Sequence, residues 1–247
     1  MRQTGLLSVT FRKLPAEKII ELTSQAGLDG IEWGGDVHVL PGDLDTADKI
    51  RQATLDAGLI NFAYGSYYRA DCEPEMIVET AAALGVQWIR IWAGTLGSND
   101  CRPEVRRQTV NYLQKLCRKC GKDIHVAAEW HCRTLTDNVI SAKKLLDEVG
   151  EDNFFSYFQR EVRPNVREDN LSDLLAMPHN KIRAVHVHYC CGSERLPLAE
   201  GSEEWQELFA HIPEHIPALL EFVRNDSIEQ FFEDAETLKR LVGNQTH

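Results

Sequence analysis

Eight strand-like segments alternating with eight helix-like ones predict a single (β/α)8 TIM barrel. Two further observations support that fold class. The chain has 247 residues, the usual size for one such barrel. No Gly/Ser/Pro-rich linker or low-complexity run divides it, so residues 1–247 read as one domain. The competing arrangement is an open doubly wound sheet, which usually has fewer strands and often a Gly-rich fingerprint after the first. Neither GxGxxG nor a Walker motif stands at any strand-to-helix turn.

The first strand is expected at Gly5-Leu6-Leu7-Ser8-Val9-Thr10-Phe11. Pro15 suits a first helical turn, Ile19, Leu22 and Ala26 share a face, and Gly27 closes that helix. Gly30-Ile31-Glu32-Trp33 is the second strand, followed by a Gly-Gly loop containing His38 and a helix through Ala47, Ile50, Thr54 and Ala57. The third strand, Leu59 to Tyr64, runs into Gly65-Ser66-Tyr67-Tyr68-Arg69, and Pro74 opens a helix that Gly85 ends. Val86 to Trp92 is the fourth strand, and Pro103 to Gly121 frames a longer helix. The fifth strand begins at Ile124 and carries Glu129 and His131. A helix with Val139, Ala142, Leu145 and Val149 on one face ends at Gly150. Phe154 to Gln159 is the sixth strand, a short helix lies near Leu171 to Ala176, and Ile182 to His188 is the seventh strand. A long polar loop with Arg195 and Gly201 precedes a helix around Trp205 to Phe209. Pro217 to Val223 and Ile228 to Val242 complete the set.

Composition narrows the function. The apolar share of 43% is ordinary for a globular protein with a sizeable core. A formal charge of -11 argues against a nucleic-acid-binding surface, which needs clustered Lys and Arg. No apolar run is long enough for a membrane span and no signal-peptide pattern is visible, so the expectation is a cytoplasmic protein. Seven scattered cysteines are then expected as reduced thiols. Cys117-Arg118-Lys119-Cys120 has CxxC spacing, but no second pair exists to complete a zinc site.

In a barrel of this kind, chemistry collects at the C-terminal ends of the strands. The ends of strands five to eight carry Glu129 and His131, Gln159, His186 and His188, and Glu221. Glu129 and His131, two apart, are expected on one face near the end of their strand. Oxygen and nitrogen donors from four neighbouring strands make a cage for one divalent ion. Glu129, Gln159, His188 and Glu221 favour Mn2+, Mg2+ or Co2+, with Zn2+ a further option. His186 shares the parity of His188, so one of the two is expected as ligand and the other as a supporting or substrate-side group. Two carboxylates side by side would repel strongly without a cation. Gln159 is the weakest member, because a neutral amide is an unusual ligand.

The pieces Gly30-Ile31-Glu32-Trp33 with His38, Tyr64-Gly65-Ser66-Tyr67-Tyr68-Arg69, Glu129-x-His131 with Thr134-Leu135-Thr136, Val187-His188 and Glu221 stand in a familiar order. With them the chain resembles the sugar phosphate isomerase/epimerase superfamily, the xylose isomerase-like TIM barrels that also include endonuclease IV. The resemblance implies that Glu129, His188 and Glu221 are metal ligands. The family usually supplies Asp from the sixth strand, where this chain has Gln159. It also implies an isomerase or epimerase of a sugar or sugar derivative, working by proton transfer through a metal-stabilised ene-diolate. Glu129 and Glu221 are the proton carriers in that scheme. His38, Tyr67, Arg69, Arg90, Trp92, His131, His186 and Arg195 are the expected substrate-binding residues. Three other readings compete: a metal-assisted dehydratase of a sugar acid or cyclitol, a sugar-binding barrel without catalysis, and an endonuclease IV-type phosphodiesterase. The last should show a basic face and a richer set of metal ligands, which this acidic chain lacks. A small sugar is the expected partner, and relatives suggest a homodimer.

Overall fold

Eight parallel strands close on themselves: β1 (Thr4–Leu7), β2 (Gly30–Gly34), β3 (Ile60–Gly65), β4 (Trp88–Ile91), β5 (His125–Glu129), β6 (Phe154–Gln159), β7 (Ile182–Val187) and β10 (Ala218–Leu220). Closure is made by β1, whose Gly5 pairs with Gly30 on one side and Leu219 on the other. The computed structural model describes residues 1–160 and 170–243. Between β7 and β10, β8 (Cys190–Cys191) and β9 (Glu194–Arg195) form a small antiparallel ribbon. The α-helices of the described residues are α1 (Ala16–Gln25), α2 (Leu44–Asp56), α3 (Glu75–Leu84), α4 (Pro103–Cys120), α5 (Val139–Val149), α6 (Asn170–Ala176), α7 (Ser202–Ala210) and α8 (Ile228–Gly243). The expected (β/α)8 barrel is the observed fold. No helix among the described residues is long and apolar enough to cross a membrane.

Local chemistry sets the boundaries. The Asn138 side chain accepts from the Ser141 backbone N–H at 2.9 Å and starts α5, while Gly150, at φ 62°, ends it. Asp43 starts α2 in the same way through Thr46 N. The first strand is shorter than its apolar pattern suggests. Ser8–Phe11 winds into a 3-10 turn, because the hydroxyls there serve other loops. Ser8 Oγ accepts from Gly34 N at 2.8 Å, and Thr10 Oγ1 from Phe222 N at 3.1 Å. Ladder pairing likewise stops at Val187 and Leu220, so His188 and Glu221 stand just past the last paired residues.

The strands bury both faces, which is why they read as nearly continuous apolar runs. Ile31, Trp33, Ile89, Ile91, Val126, Ala128, Phe158 and Val185 pack outward against the helices. Inside the barrel lie Leu7, Val9, Phe62, Trp88, Ala127, Tyr157, Ala184 and Leu219. Near the bottom, Gly5 and Gly30 make room for Phe62. A Cβ on Gly30 would lie 2.3 Å from the Ile60 carbonyl oxygen and 2.9 Å from the Phe62 ring. Above these rings the interior changes to Glu32, Arg90, Glu129 and His186, all buried.

Among the described residues, one buried acid lies outside the barrel. Asp234, on α8, accepts from Leu198 N and Gln230 Nε2, each at 2.9 Å. Burial pushes its carboxyl up to about 6. The fold therefore favours the protonated form, and stability falls as pH rises from about 4, the ordinary Asp value, to about 6. Asp234→Asn keeps an acceptor for both donors and removes that slope. Its melting temperature should gain on wild type across this window and hold the gain above it, in thermal unfolding followed by circular dichroism.

Candidate active site

Each barrel strand places alternate side chains inward, and at the C-terminal end those positions are polar. Glu32 follows Gly30 on the inner face of β2, Arg90 follows Trp88 on β4, Glu129 follows Ala127 on β5, and His186 follows Ala184 on β7. Arg90, 2% exposed, joins two acids. Its Nε donates to Glu32 Oε1 at 2.6 Å and its Nη1 to Glu129 Oε2 at 2.5 Å. Trp92 Nε1 donates to the same Glu129 oxygen at 2.6 Å, which leaves Oε1 facing the centre. Tyr157 OH donates to Glu32 Oε2 at 2.6 Å and accepts from Trp88 Nε1.

At the centre, Glu129, His186 and Glu221 bring potential ligand atoms within 4.8 Å of one another. His186 Nδ1 is 3.6 Å from both Glu129 Oε1 and Glu221 Oε2, and His188 Nδ1 is 3.7 Å from Glu221 Oε2. Both Nδ1 atoms are buried without a hydrogen-bond partner. These separations are too long for hydrogen bonds, and they aim the Glu129, His186 and Glu221 donors at a shared space, with His188 Nδ1 beside Glu221. Electrostatics point the same way. Burial, the largest single influence, would push Glu32 and Glu129 up, but Arg90 and His186 together outweigh it and hold both carboxyls below the usual range. Burial opposes charge on His186, yet Glu221, Glu32 and Glu129 together push it up to about 10. His188 moves the other way, pushed down to about 4 by burial and by the positive His186 and Arg160. Burial pushes Glu221 up to about 7, and the Glu129 charge adds to that. Three carboxylates around one guanidinium leave a deficit of positive charge, which is what raises His186 and what a divalent cation would meet. The donor set of carboxylate oxygens and imidazole nitrogens fits such an ion.

The cluster lies at the floor of a cavity of about 350 Å3 in the barrel mouth. Of the residues expected to bind substrate or metal, Tyr67, Arg90, Trp92, Glu129, His131, Gln159, His188 and Glu221 line it. His186 lies beneath, with none of its surface exposed, among the acids rather than on the substrate side. His131 stands past the end of β5, so strand alternation no longer governs it. The chain turns at Arg133 (φ 59°), and the ring stacks on Trp92 at 4.1 Å. Gln159 Nε2 donates to the Trp130 carbonyl, leaving its amide oxygen as the free end. Besides His186, three expected residues lie outside the cavity lining. His38 is held on both ring nitrogens, by Ser8 Oγ at 3.0 Å and the Leu14 carbonyl at 3.1 Å. Arg69 packs over Trp92 at 4.3 Å and donates to the Gly94 carbonyl. Arg195 pairs with Asp226 at 2.5 Å and covers Phe222.

The site also draws on residues outside the expected set. Glu32 had a legible signal: like Glu129 and Glu221 it is an acid in an otherwise apolar strand. Tyr157 shares the inner face of β6 with Gln159. Arg12, Arg160 and Phe222 come from loops, where no periodicity announces them. Tyr67 and Phe222 hold left-handed backbone, φ 55° and 53°, strain of the kind that concentrates at binding sites.

No protein-family model matches the chain. A curated 3-dehydroshikimate dehydratase of Bacillus anthracis is 23% identical over 255 residues, covering 90% of this chain and 91% of that protein. The crystal structure of the probable 3-DHS dehydratase AsbF, from Bacillus anthracis, superposes with a TM-score of 0.76 at 20% identity, over 100% of both chains. A xylose isomerase-like TIM barrel protein from Mycobacterium smegmatis, in complex with magnesium, gives 0.73 at 14% identity, over 98% of this chain and 97% of that one. Likenesses at these identities define the fold, which is that of the xylose isomerase-like TIM barrels.

Two outcomes follow from this geometry. Elemental mass spectrometry on protein purified without chelator should find near-stoichiometric divalent metal, and Glu129→Gln/Glu221→Gln should lose it. Arg90→Met would strand two buried carboxylates. It should cost about 3–5 kcal/mol in denaturant unfolding, the usual penalty for breaking a buried ion pair.

Proposed function

We propose that the chain is a divalent-metal-dependent dehydratase of a small hydroxylated carbonyl acid. The observation that carries this reading is the convergence of two buried carboxylates and the unpartnered His186 Nδ1 at the floor of a ligand-sized cavity, with His188 Nδ1 beside Glu221. The dehydratase relative, aligned over nine-tenths of both chains, supports elimination of water over simple isomerisation. A substrate such as 3-dehydroshikimate is the natural first trial.

Glu129, Glu221 and the Nδ1 atoms of His186 and His188 would hold the ion, with the Gln159 oxygen at the edge. When bound, a divalent ion supplies Lewis acidity to a substrate carbonyl oxygen. Glu129 has one oxygen tied down by Arg90 and Trp92, so it serves best as a fixed ligand. Glu221 lacks such ties and is the base for the proton beside the carbonyl. The electron pair of that C–H bond forms the new double bond as the neighbouring C–O bond breaks. His131, on the rim, gives the departing hydroxyl its proton, and water leaves. Arg12 and Arg160 stand on the cavity wall, paired with Asp36 at 3.0 Å and Glu204 at 2.7 Å, and their remaining N–H groups would meet the substrate's carboxylate.

A second reading has its own support. Glu129 and Glu221 approach the cluster from β5 and from the end of β10, and two carboxylates could pass a proton between carbons or faces of a ketose. One experiment separates the two. Metal-loaded protein is incubated in D2O with 3-dehydroshikimate and, separately, with a panel of unphosphorylated ketoses, and products are weighed by mass spectrometry. Loss of the mass of water supports dehydration, and deuterium gained without loss of water supports isomerisation or epimerisation. Turnover of neither, in protein that takes up no metal, would leave the non-catalytic sugar-binding barrel. For the dehydratase, His131→Gln should keep its metal and lose about 10²–10⁴-fold in kcat, the usual worth of a positioned proton donor.

A further inference from the structure

Glu32 lies under the donor cluster, 1% exposed, and no step of the reaction above uses it. Its two oxygens face different groups. Oε1 accepts from Arg90 Nε at 2.6 Å. Oε2 accepts from Tyr157 OH at 2.6 Å and lies 3.5 Å from His186 Nε2. We propose that Glu32 is a positioning residue for the metal centre, fixing the Arg90 guanidinium and the His186 ring from below. Through them it sets which Glu129 oxygen and which His186 nitrogen face the mouth. The proposal rests on the metal-dependent reading of the site.

Two acids grip Arg90 on different nitrogens, so its plane cannot turn without releasing one of them. That fixed plane occupies Glu129 Oε2 and leaves Oε1, 3.6 Å from His186 Nδ1, for the centre. On the other side, an ionised carboxylate only accepts hydrogen bonds. In a neutral His186 the nitrogen facing Glu32, Nε2, therefore carries the proton, and the lone pair falls on Nδ1, the atom facing Glu129 and Glu221. Glu32 is itself held. Trp88 donates to Tyr157 Oη, so the Tyr157 proton is committed to Glu32 Oε2. Gly65 leaves space for the arrangement, since a Cβ there would lie 2.5 Å from Arg90 Nη2 and 2.9 Å from Glu32 Oε1.

Glu32→Gln keeps the shape and changes the message. With its amide oxygen on the Arg90 N–H, the NH2 group faces His186 Nε2 and the Tyr157 hydroxyl, which then loses its acceptor. His186 Nε2 then becomes an acceptor, the proton moves to Nδ1, and a ligand lone pair is lost. Mn2+ affinity measured by titration calorimetry should fall by about 10–100-fold, the usual effect of removing such an outer partner. The visible spectrum of the Co2+-loaded protein should shift, which a general loss of stability would not cause. Asp234→Asn, a buried acid elsewhere, should keep wild-type affinity. A Glu32→Gln protein with wild-type Mn2+ affinity and Co2+ spectrum would overturn the proposal. Should Glu32→Gln fail to fold, Tyr157→Phe removes the donor to Oε2, along with the acceptor of Trp88 Nε1, and leaves Glu32 itself in place. Several-fold weaker Mn2+ binding with unchanged circular dichroism supports the role, and unchanged binding rejects it. If wild type takes up neither Mn2+ nor Co2+, the metal-dependent reading fails together with this one. Wild-type binding with indifferent variants defeats the Glu32 role alone.

Discussion

A guanidinium buried in the middle of the barrel lets the acids of the mouth stand together. Taking carboxylates out of water costs several kcal/mol each unless their charges are met with good geometry. Arg90 meets two of them at once, from a strand that lies between theirs in the barrel order. Its surroundings are shaped for it: Gly65 stands clear on β3, and the Tyr67 ring lies 4.9 Å from the guanidinium carbon. With Arg90 in place, Glu32 and Glu129 stay ionised. The negative charge that remains unmet is that of Glu221, beside the two imidazoles, where a cation is useful.

Most of the barrel was legible in the sequence, because the strands are apolar on both faces and the helices are framed by residues with fixed conformational roles. Pro103 at the start of α4 and Gly85 and Gly150 at the ends of α3 and α5 are examples. Strand ends were less legible. Apolar pattern continues through Phe11 and Val223, whereas pairing stops at Leu7 and Leu220. Hydropathy records burial, and burial at those ends comes from loop packing rather than from the ladder.

The polar floor divides in the same way. Glu129, His186 and Glu221 could be read as inward-facing groups because strand parity carries that information. His38, Arg69 and Arg195 could not, since they belong to the loops and the small ribbon above the barrel, whose conformation depends on contacts far away in the chain. His38 reaches across to Ser8 and Leu14, and Arg195 to Asp226. Their residue types suit a sugar site, yet their polar atoms serve the scaffold. Glu32 is the instructive case: its strand and parity were visible, but its partner Tyr157 is 125 residues away, and no local pattern joins them.

Floor and rim have separate duties in the chemistry proposed above. The floor, built on strands, would decide that a proton next to a carbonyl can be removed, since it gathers the base and the ligands for a Lewis acid. Such a floor serves isomerisation and elimination equally, because both begin with that proton. What differs is the next step, and the groups available for it stand on loops. Reprotonation of carbon needs a carboxylate on the right face, whereas elimination needs a proton donor beside a departing hydroxyl and a pocket that accepts an acid. His131 on its turn after β5, together with Arg12 and Arg160 on the cavity wall, would equip this rim for the second course under the proposed dehydratase reading. Strained backbone at Tyr67 and Phe222 belongs to the same rim, where the surrounding loops hold it against its own preference. One floor with exchangeable loops is how a barrel keeps its first chemical step while its outcome changes.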